Sequence, residues 1–356
     1  MRRDRLLPLL ALTVGAALSL AGTAHGQDAK PAFAFRDVAG QHLDVLIDGK
    51  VAVRYMYAHD PAAAADKARR AETYKPYLHV FDADGKEPIT QGAGGKQFPH
   101  HRGIYIGWQK LGFEGKRYNF WEMASGDIAH QRFAGQKADA DSATFTSVTK
   151  WVPTGSDKPV VEEERTTTVR RAPAPGRLVI DFASKLTAPN GDVVLDGDPE
   201  HGGIQYRPAG ELKTSETVYT YPVANADPHK DTDYPWVGQT YSLRGKRYSV
   251  VDINHPQNPK GTRVSAYRDY GRFGMFPKAE VKKGQSLTVR YRFVIADGEM
   301  PPAETIQKWA DDFAGAASPT PAPQTTVKPA EGAGKAPAGS KKAAATKPAD
   351  VKPAPK

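Results

Sequence analysis

Residues 287–297, "LTVRYRFVIAD", decide the fold. Leu287, Val289, Tyr291, Phe293 and Ile295 recur at a strict period of two. That spacing lays one apolar face along an extended strand and leaves no helical stripe. "RLVIDFASKL" (177–186) repeats the pattern with Leu178, Ile180, Phe182 and Leu186. "ATFTSVTKWV" (143–152) and "VEEERTTTVRR" (161–171) are rich in Thr and Val, as half-exposed strands are. Turn pairs punctuate these runs, among them Asp48-Gly49, Asp84-Gly85, Asn190-Gly191 and Asp297-Gly298. Helical patterns do not alternate with the strands, which argues against a parallel α/β sheet. The expectation is an all-β protein, one large antiparallel β-sandwich. A single closing helix is expected over 301–315, with Pro301 at its start, Gly315 at its end and Ile306, Trp309 and Phe313 on one stripe. The Ala-rich stretch 60–72 reads as a surface insertion, helical at most in part.

The two ends of the chain read differently. Residues 1–26 carry Arg2, Arg3 and Arg5, an apolar run, and small residues at Ala24 and Gly26. This is the layout of a cleavable secretory signal, cut near Ala24–Gly26, and it predicts a periplasmic or secreted protein. No later stretch is apolar enough to span a membrane. Residues 318–356 are rich in Pro, Ala and Lys and predict a disordered tail. Between the two ends, residues 27–317 form the expected single domain. Seven tail lysines against Glu331 and Asp350 give +5, and the leader adds +2, so only +2 of the total +9 belongs to the domain. The basic balance is therefore no sign of nucleic-acid binding. The chain has no cysteine, which excludes disulfide scaffolds, thiolate metal sites and cysteine nucleophiles.

"FPHHRGIYIGW" (98–108) and "EHGGIQYRP" (200–208) are the stretches that carry chemistry. Read as strands, the first puts Ile104, Ile106 and Trp108 on one face and His101, Gly103, Tyr105 and Gly107 on the other. The glycines there suggest an open groove floor. His100 and Arg102 fall opposite His101, unless Pro99 holds them in a loop. In the second stretch His201, Gly203, Gln205 and Arg207 share a face, away from Ile204 and Tyr206. A pocket lined by His101, Tyr105, His201, Gln205 and Arg207 is expected between them. "NFWEM" (119–123) offers Trp121 for stacking and Glu122 as a possible acid. "INHPQNPKG" (253–261) offers His255 and Asn258, and "YRDYGRFG" (267–274) offers Tyr270 beside Arg268 and Arg272, as loop binding groups. No serine-nucleophile elbow, phosphate loop or dinucleotide fingerprint is present, so no cofactor is expected. Nor does any metal-ligand spacing appear, and a metal site could only come from His101, His201 and His255 brought together by the fold.

In order along roughly residues 40–312, these stretches and "KKGQSLTVRYRFVIADGE" resemble the PmoA-like domain family. The Pro-His-His-Arg-Gly run and His201-Gly202-Gly203-Ile204-Gln205-Tyr206-Arg207 are the most specific pieces. The Ala-rich insertion and the Lys/Pro tail depart from it. The resemblance implies an exported protein of polysaccharide-degrading bacteria, with a sandwich similar to those of sugar mutarotases and polysaccharide lyases.

Residues and resemblance together predict a carbohydrate-active protein whose partner is a small-molecule or oligosaccharide substrate. His101 or His201 would be the general acid/base, because an imidazole titrates near working pH. Arg102 and Arg207 would hold a carboxylate or developing negative charge, Tyr105 or Trp121 would stack on a sugar ring, and His100, Gln205, His255, Asn258 and Tyr270 would complete the binding surface. A non-catalytic glycan-binding protein and a metal-dependent oxidative enzyme are the alternatives.

Overall fold

The computed structural model describes residues 33–332, apart from 67–68, 70–74, 94 and 96. The expected leader (1–26) and the tail beyond residue 332 lie outside the described residues.

Two large antiparallel sheets enclose the core. The first has eight strands in the spatial order Phe33–Val38, His42–Ile47, Lys50–Met56, Tyr77–Val80, Ile104–Trp108, Gly202–Tyr206, Phe273–Phe276 and Arg263–Ser265. The second has nine, running from Thr326–Pro329 at one edge through Val218–Tyr221, Trp236–Leu243, Lys246–Asn254, Ser286–Asp297, Leu178–Thr187, Val161–Arg171 and Ser142–Pro153 to Gly126–Ala138. A four-stranded sheet of Ala279–Val281, Val193–Leu195, Leu111–Phe113 and Lys116–Tyr118 completes the set.

The period-two strands do what their pattern implies. Val289, Tyr291, Phe293 and Ile295 enter the same core as Ile180, Phe182, Leu186 and, from the facing sheet, Val53, Ile106 and Ile204. Aromatic contacts join the layers: Tyr55 meets Phe145 at 5.3 Å between ring centroids, and the hydroxyls of Tyr206 and Tyr241 hydrogen-bond at 2.8 Å. The nine-stranded sheet also buries a polar cluster on its inner face. Glu163 accepts from Arg165 Nε and Nη2, each at 2.9 Å, and from Thr149, Trp151 and Ser184.

The helix is Ala303–Ala314, stopped by Gly315 in the left-handed conformation (φ 66°). It buries Ile306, Trp309 and Ala310 against Val179, Trp236, Val251, Ile253 and Val294, on the face of the nine-stranded sheet turned away from the main core. The Ala-rich insertion contributes the helix Pro61–Ala65, capped by Asp60 Oδ1 accepting from Ala62 N–H at 2.9 Å.

One expectation needs correction. The segment past residue 317, read as disordered from its composition, includes Thr326–Pro329, which pairs in full antiparallel register with Val218–Tyr221. Lack of large aliphatics does not exclude such a strand, because an edge strand is held by backbone hydrogen bonds. Ala330 N–H also donates to Thr217 O at 2.9 Å, and Glu331 N–H to Tyr267 O at 2.7 Å.

Candidate functional site

Strands Ile104–Trp108 and Gly202–Tyr206 are direct neighbours, with Tyr105 opposite Gln205 and Gly107 opposite Gly203. Alternation sends Ile104, Ile106, Ile204 and Tyr206 into the core. Tyr105 instead joins Tyr77, Trp121 and Phe276 in a separate buried cluster on the sheet's other face. The glycines, however, do not make an open floor. A Cβ on Gly107 would stand 2.3 Å from the Phe120 carbonyl oxygen, and one on Gly103 (φ 28°) 1.9 Å from that of Leu78. What they admit is backbone. The segment 119–123 crosses directly over Gly107 and lays Trp121 on Tyr105 (5.0 Å) and Phe276 (5.4 Å). Asn119 shapes that crossing: its Oδ1 accepts from Trp121 and Glu122 N–H, and its Nδ2 donates to Glu122 Oε2 at 2.8 Å. Glu122 is thereby occupied in holding the turn.

The rings of the two adjacent histidines lie together, contrary to the split expected for an extended strand. The strand begins only at Ile104, and Phe98–His101 is a turn closed by His101 N–H on Phe98 O at 2.9 Å. Period-two geometry therefore does not govern residues 100–102. The two rings meet at 4.3 Å, and Arg102 reaches the same side, 5.5 Å from the Tyr77 ring. His101 is 1 % exposed. Phe98 (5.2 Å), Tyr270 (5.9 Å), Trp121 (6.0 Å) and His201 (6.4 Å) surround its ring. Neither ring nitrogen of His101 has a hydrogen-bond partner among the described residues. Burial, followed by the Arg272 charge, holds its pKa well below the usual value. Burial and Lys75 bring His100 down to about 3, so both imidazoles are neutral near pH 7.

His201 is placed differently. Its Nδ1 lies 2.6 Å from Asp198 Oδ1, and its side chain is 24 % exposed. Burial raises the Asp198 carboxyl, but the Glu200 N–H and His201 outweigh it and hold the pKa below its ordinary value. An ionised carboxylate only accepts, so Nδ1 carries a proton, and in the neutral tautomer the lone pair is on Nε2. His201, Asp198, Glu200, Tyr267, Arg268 and His229 line a cleft of about 340 Å³.

Buried cations surround these rings. Lys75 Nζ donates to Trp121 O at 2.7 Å and stands 3.4 Å over the Tyr105 ring. Burial, then Arg102, push its pKa well below the lysine value. Arg272 donates from Nη1 to Glu200 O and Ser265 Oγ, both at 3.0 Å, and from Nη2 to Glu200 Oε2 at 3.3 Å. Tyr267 donates to Glu200 Oε1 at 2.6 Å, and Arg268 pairs with the same carboxylate. Arg207 is 1 % exposed, 5.0 Å from the Tyr270 ring, and contributes to a second cavity of about 590 Å³ with His79, Gln91 and Gln97. The single expected pocket is thus two cavities that share no lining residue, with His101, Tyr105 and Gln205 buried beside them.

His255 and Asn258 are not part of this site. They form the turn after Lys246–Asn254, where Asn258 donates to Asn254 Oδ1 and Arg290 O, both at 2.7 Å, and accepts from Arg290 N–H at 2.8 Å. His255 packs edge-on against Phe313 of the helix at 5.1 Å. Asn-His-Pro here is turn chemistry. Among the described residues no group of three His, Asp or Glu side chains is placed to hold a metal ion. With His255 at the helix, the metal-dependent reading lacks its third histidine. Sequence reasoning missed Asp198, Glu200 and Lys75. The D-x-x-H spacing of Asp198 and His201 was a visible signal, whereas Lys75 had none.

No curated protein matches the chain. Solved structures that resemble it do so at low identity. A mutant heparan sulfate lyase from Pedobacter heparinus has 6 % identity over 76 % of this chain and 37 % of its own, with a TM-score of 0.38. An alpha-galactosidase from Lactobacillus brevis has 8 % identity, 80 % and 40 % coverage, and a TM-score of 0.35. A galactose mutarotase-like protein from Lactobacillus casei has 8 % identity, 75 % and 100 % coverage, and a TM-score of 0.31. The chain thus spans well under half the length of the lyase and the galactosidase. Residues 42–310 match the family of unknown function DUF6807, and the chain belongs to that family.

Proposed function

We propose that the protein is a carbohydrate-active enzyme that performs general acid/base chemistry on a sugar bound in the His201 cleft. The observation that carries this reading is the Asp198–His201 pair on the cleft wall. Asp198 holds the imidazole in one tautomer and stabilises the imidazolium that forms when Nε2 takes a proton. The same Nε2 returns that proton to a leaving oxygen. Arg268 and Arg272, already paired with Glu200, add positive potential where negative charge develops. His101 supports the site from beneath, as a buried neutral ring. The PmoA-like resemblance and the expected leader favour a role outside the cytoplasm.

The test is a panel of neutral and acidic glycans with product analysis. His201→Ala should lower turnover by about 10²–10⁴-fold, the usual contribution of a positioned acid/base. Asp198→Asn should remove much of the same rate, and both variants should keep ligand binding within a few-fold. If binding persists and no glycan in the panel is altered by the wild type, the cleft is a binding site only and the enzymatic reading is wrong.

A further inference from the structure

Among the described residues, no carboxylate lies within ion-pair distance of the buried Arg207 guanidinium, and Asp269 acts on it only at longer range. Three other buried arginines have carboxylate partners. Arg165 is paired with Glu163, Arg272 with Glu200, and Arg292 with Asp181 and Asp312. Arg207 is 1 % exposed, forms no ion pair among the described residues, and has no hydrogen-bond partner there for Nε or Nη1. Its aromatic neighbour is the Tyr270 ring, which meets the cation's face and supplies no anion. Burying a charge this way is expensive, and such charges ordinarily pair or lose their proton. An arginine does not lose its proton at neutral pH. Burial, the largest cause, lowers its pKa only to about 10, which leaves it charged.

Among the described residues, the cavity beside it presents no carboxylate placed to neutralise it. Glu211 lies on the wall, but Arg244 Nη2 holds it at 3.1 Å. Gln91 spends its amide on the carbonyls of Gln97 (3.3 Å) and His101 (3.1 Å). Burial, followed by Arg54, keeps His79 neutral, with its pKa down to about 4. The cavity is also connected to the cleft through a short series of rings, Arg207 to Tyr270, Tyr270 to His101, and His101 to His201.

We propose that the Arg207 cavity binds the acidic group of an anionic glycan, a carboxylate or a sulfate ester, while the His201 cleft holds the reacting sugar. The choice of a glycan rests on the function proposed above; the anion site rests on Arg207 alone. A guanidinium fork suits either oxyanion, and the desolvated setting gives it preference over a neutral hydroxyl.

Thermal shift and calorimetry with glucuronate, glucose 6-sulfate, inorganic sulfate and neutral glucose, at matched ionic strength, test it. One or both acidic sugars should raise the melting temperature of the wild type, and glucose should not. Arg207→Met should bind the acidic sugar at least tenfold more weakly, yet melt at or above the wild type without ligand, because an uncompensated charge has been removed. Arg207→Lys, which keeps the charge without the fork, should fold normally and bind with intermediate strength. Acidic-sugar binding that survives in Arg207→Met overturns the proposal. So does an equal shift with glucose, or no shift with either acidic sugar. A shift with inorganic sulfate as large as with the sugars marks a simple oxyanion site and overturns the glycan assignment. His201-dependent turnover of neutral glycans with no acidic-sugar shift would remove this site and leave the cleft reading intact.

Discussion

The rings of His101 and His201 stand 6.4 Å apart and tilted by 32°, although a hundred residues of chain separate them. One is buried with both nitrogens unmatched among the described residues; the other is anchored on Asp198 and opens to a cleft. Two histidines in similar sequence settings therefore have different chemistry, because one sits under Phe98 and Tyr270 and the other borders a cavity.

His101→Phe should not destabilise the protein. A buried imidazole with unmatched nitrogens gives up about 1–3 kcal/mol of desolvation that phenylalanine does not. Urea unfolding should show equal or greater stability, while ligand binding at the cleft weakens. A loss of more than about 1 kcal/mol would mean that the ring has partners the described residues do not supply.

Glu163→Gln should be severely destabilising. Both Glu163 and Arg165 are fully buried, and the substitution leaves the guanidinium charged inside the sandwich. The expected cost is about 3–5 kcal/mol in denaturant unfolding. Glu163→Gln combined with Arg165→Met should recover a large part of it.

Asp252→Asn should stabilise the protein increasingly as pH rises. Asp252 is fully buried, its carboxyl oxygens have no partner among the described residues, and burial pushes its pKa well above 3.8. The folded state keeps the proton while the unfolded chain releases it above about 3.8. Wild-type stability therefore falls through the window between the unfolded and folded values. The difference in melting temperature between Asp252→Asn and wild type should be near zero at pH 4 and grow by several degrees by pH 8, where about 1 kcal/mol corresponds to roughly 2–4 °C. A difference that does not change with pH would show that Asp252 does not titrate this way.

Truncation after residue 332 should leave stability unchanged, whereas truncation after 317 should lower it by about 1–3 kcal/mol. The longer deletion removes the strand Thr326–Pro329 and exposes the edge Val218–Tyr221. It also removes Glu331, which bonds to His229 at 2.6 Å on the cleft wall. Equal melting temperatures for the two truncations would show that the strand adds nothing.

The periodicities in the sequence were sufficient for the all-β class, the core faces of the strands 178–187 and 286–297, and the helix that ends at Gly315. Those features follow from local sterics and from which side chains avoid water, and both are written along the chain. Tertiary structure decided the rest. Loop geometry, which no periodicity encodes, brought His100 and Arg102 to the same side as His101. Close backbone approach turned Gly107 from an apparent groove floor into a crossing point for residues 119–123. Lys75 entered the site from a segment with no signal to select it, Asp198 through a D-x-x-H spacing whose meaning only the fold supplies, and His255 and Asn258 left it for a turn beside the helix. Burial then set the chemistry, since His101 and Asp252 owe their charge states to desolvation, which depends on every neighbour and on no single stretch of sequence.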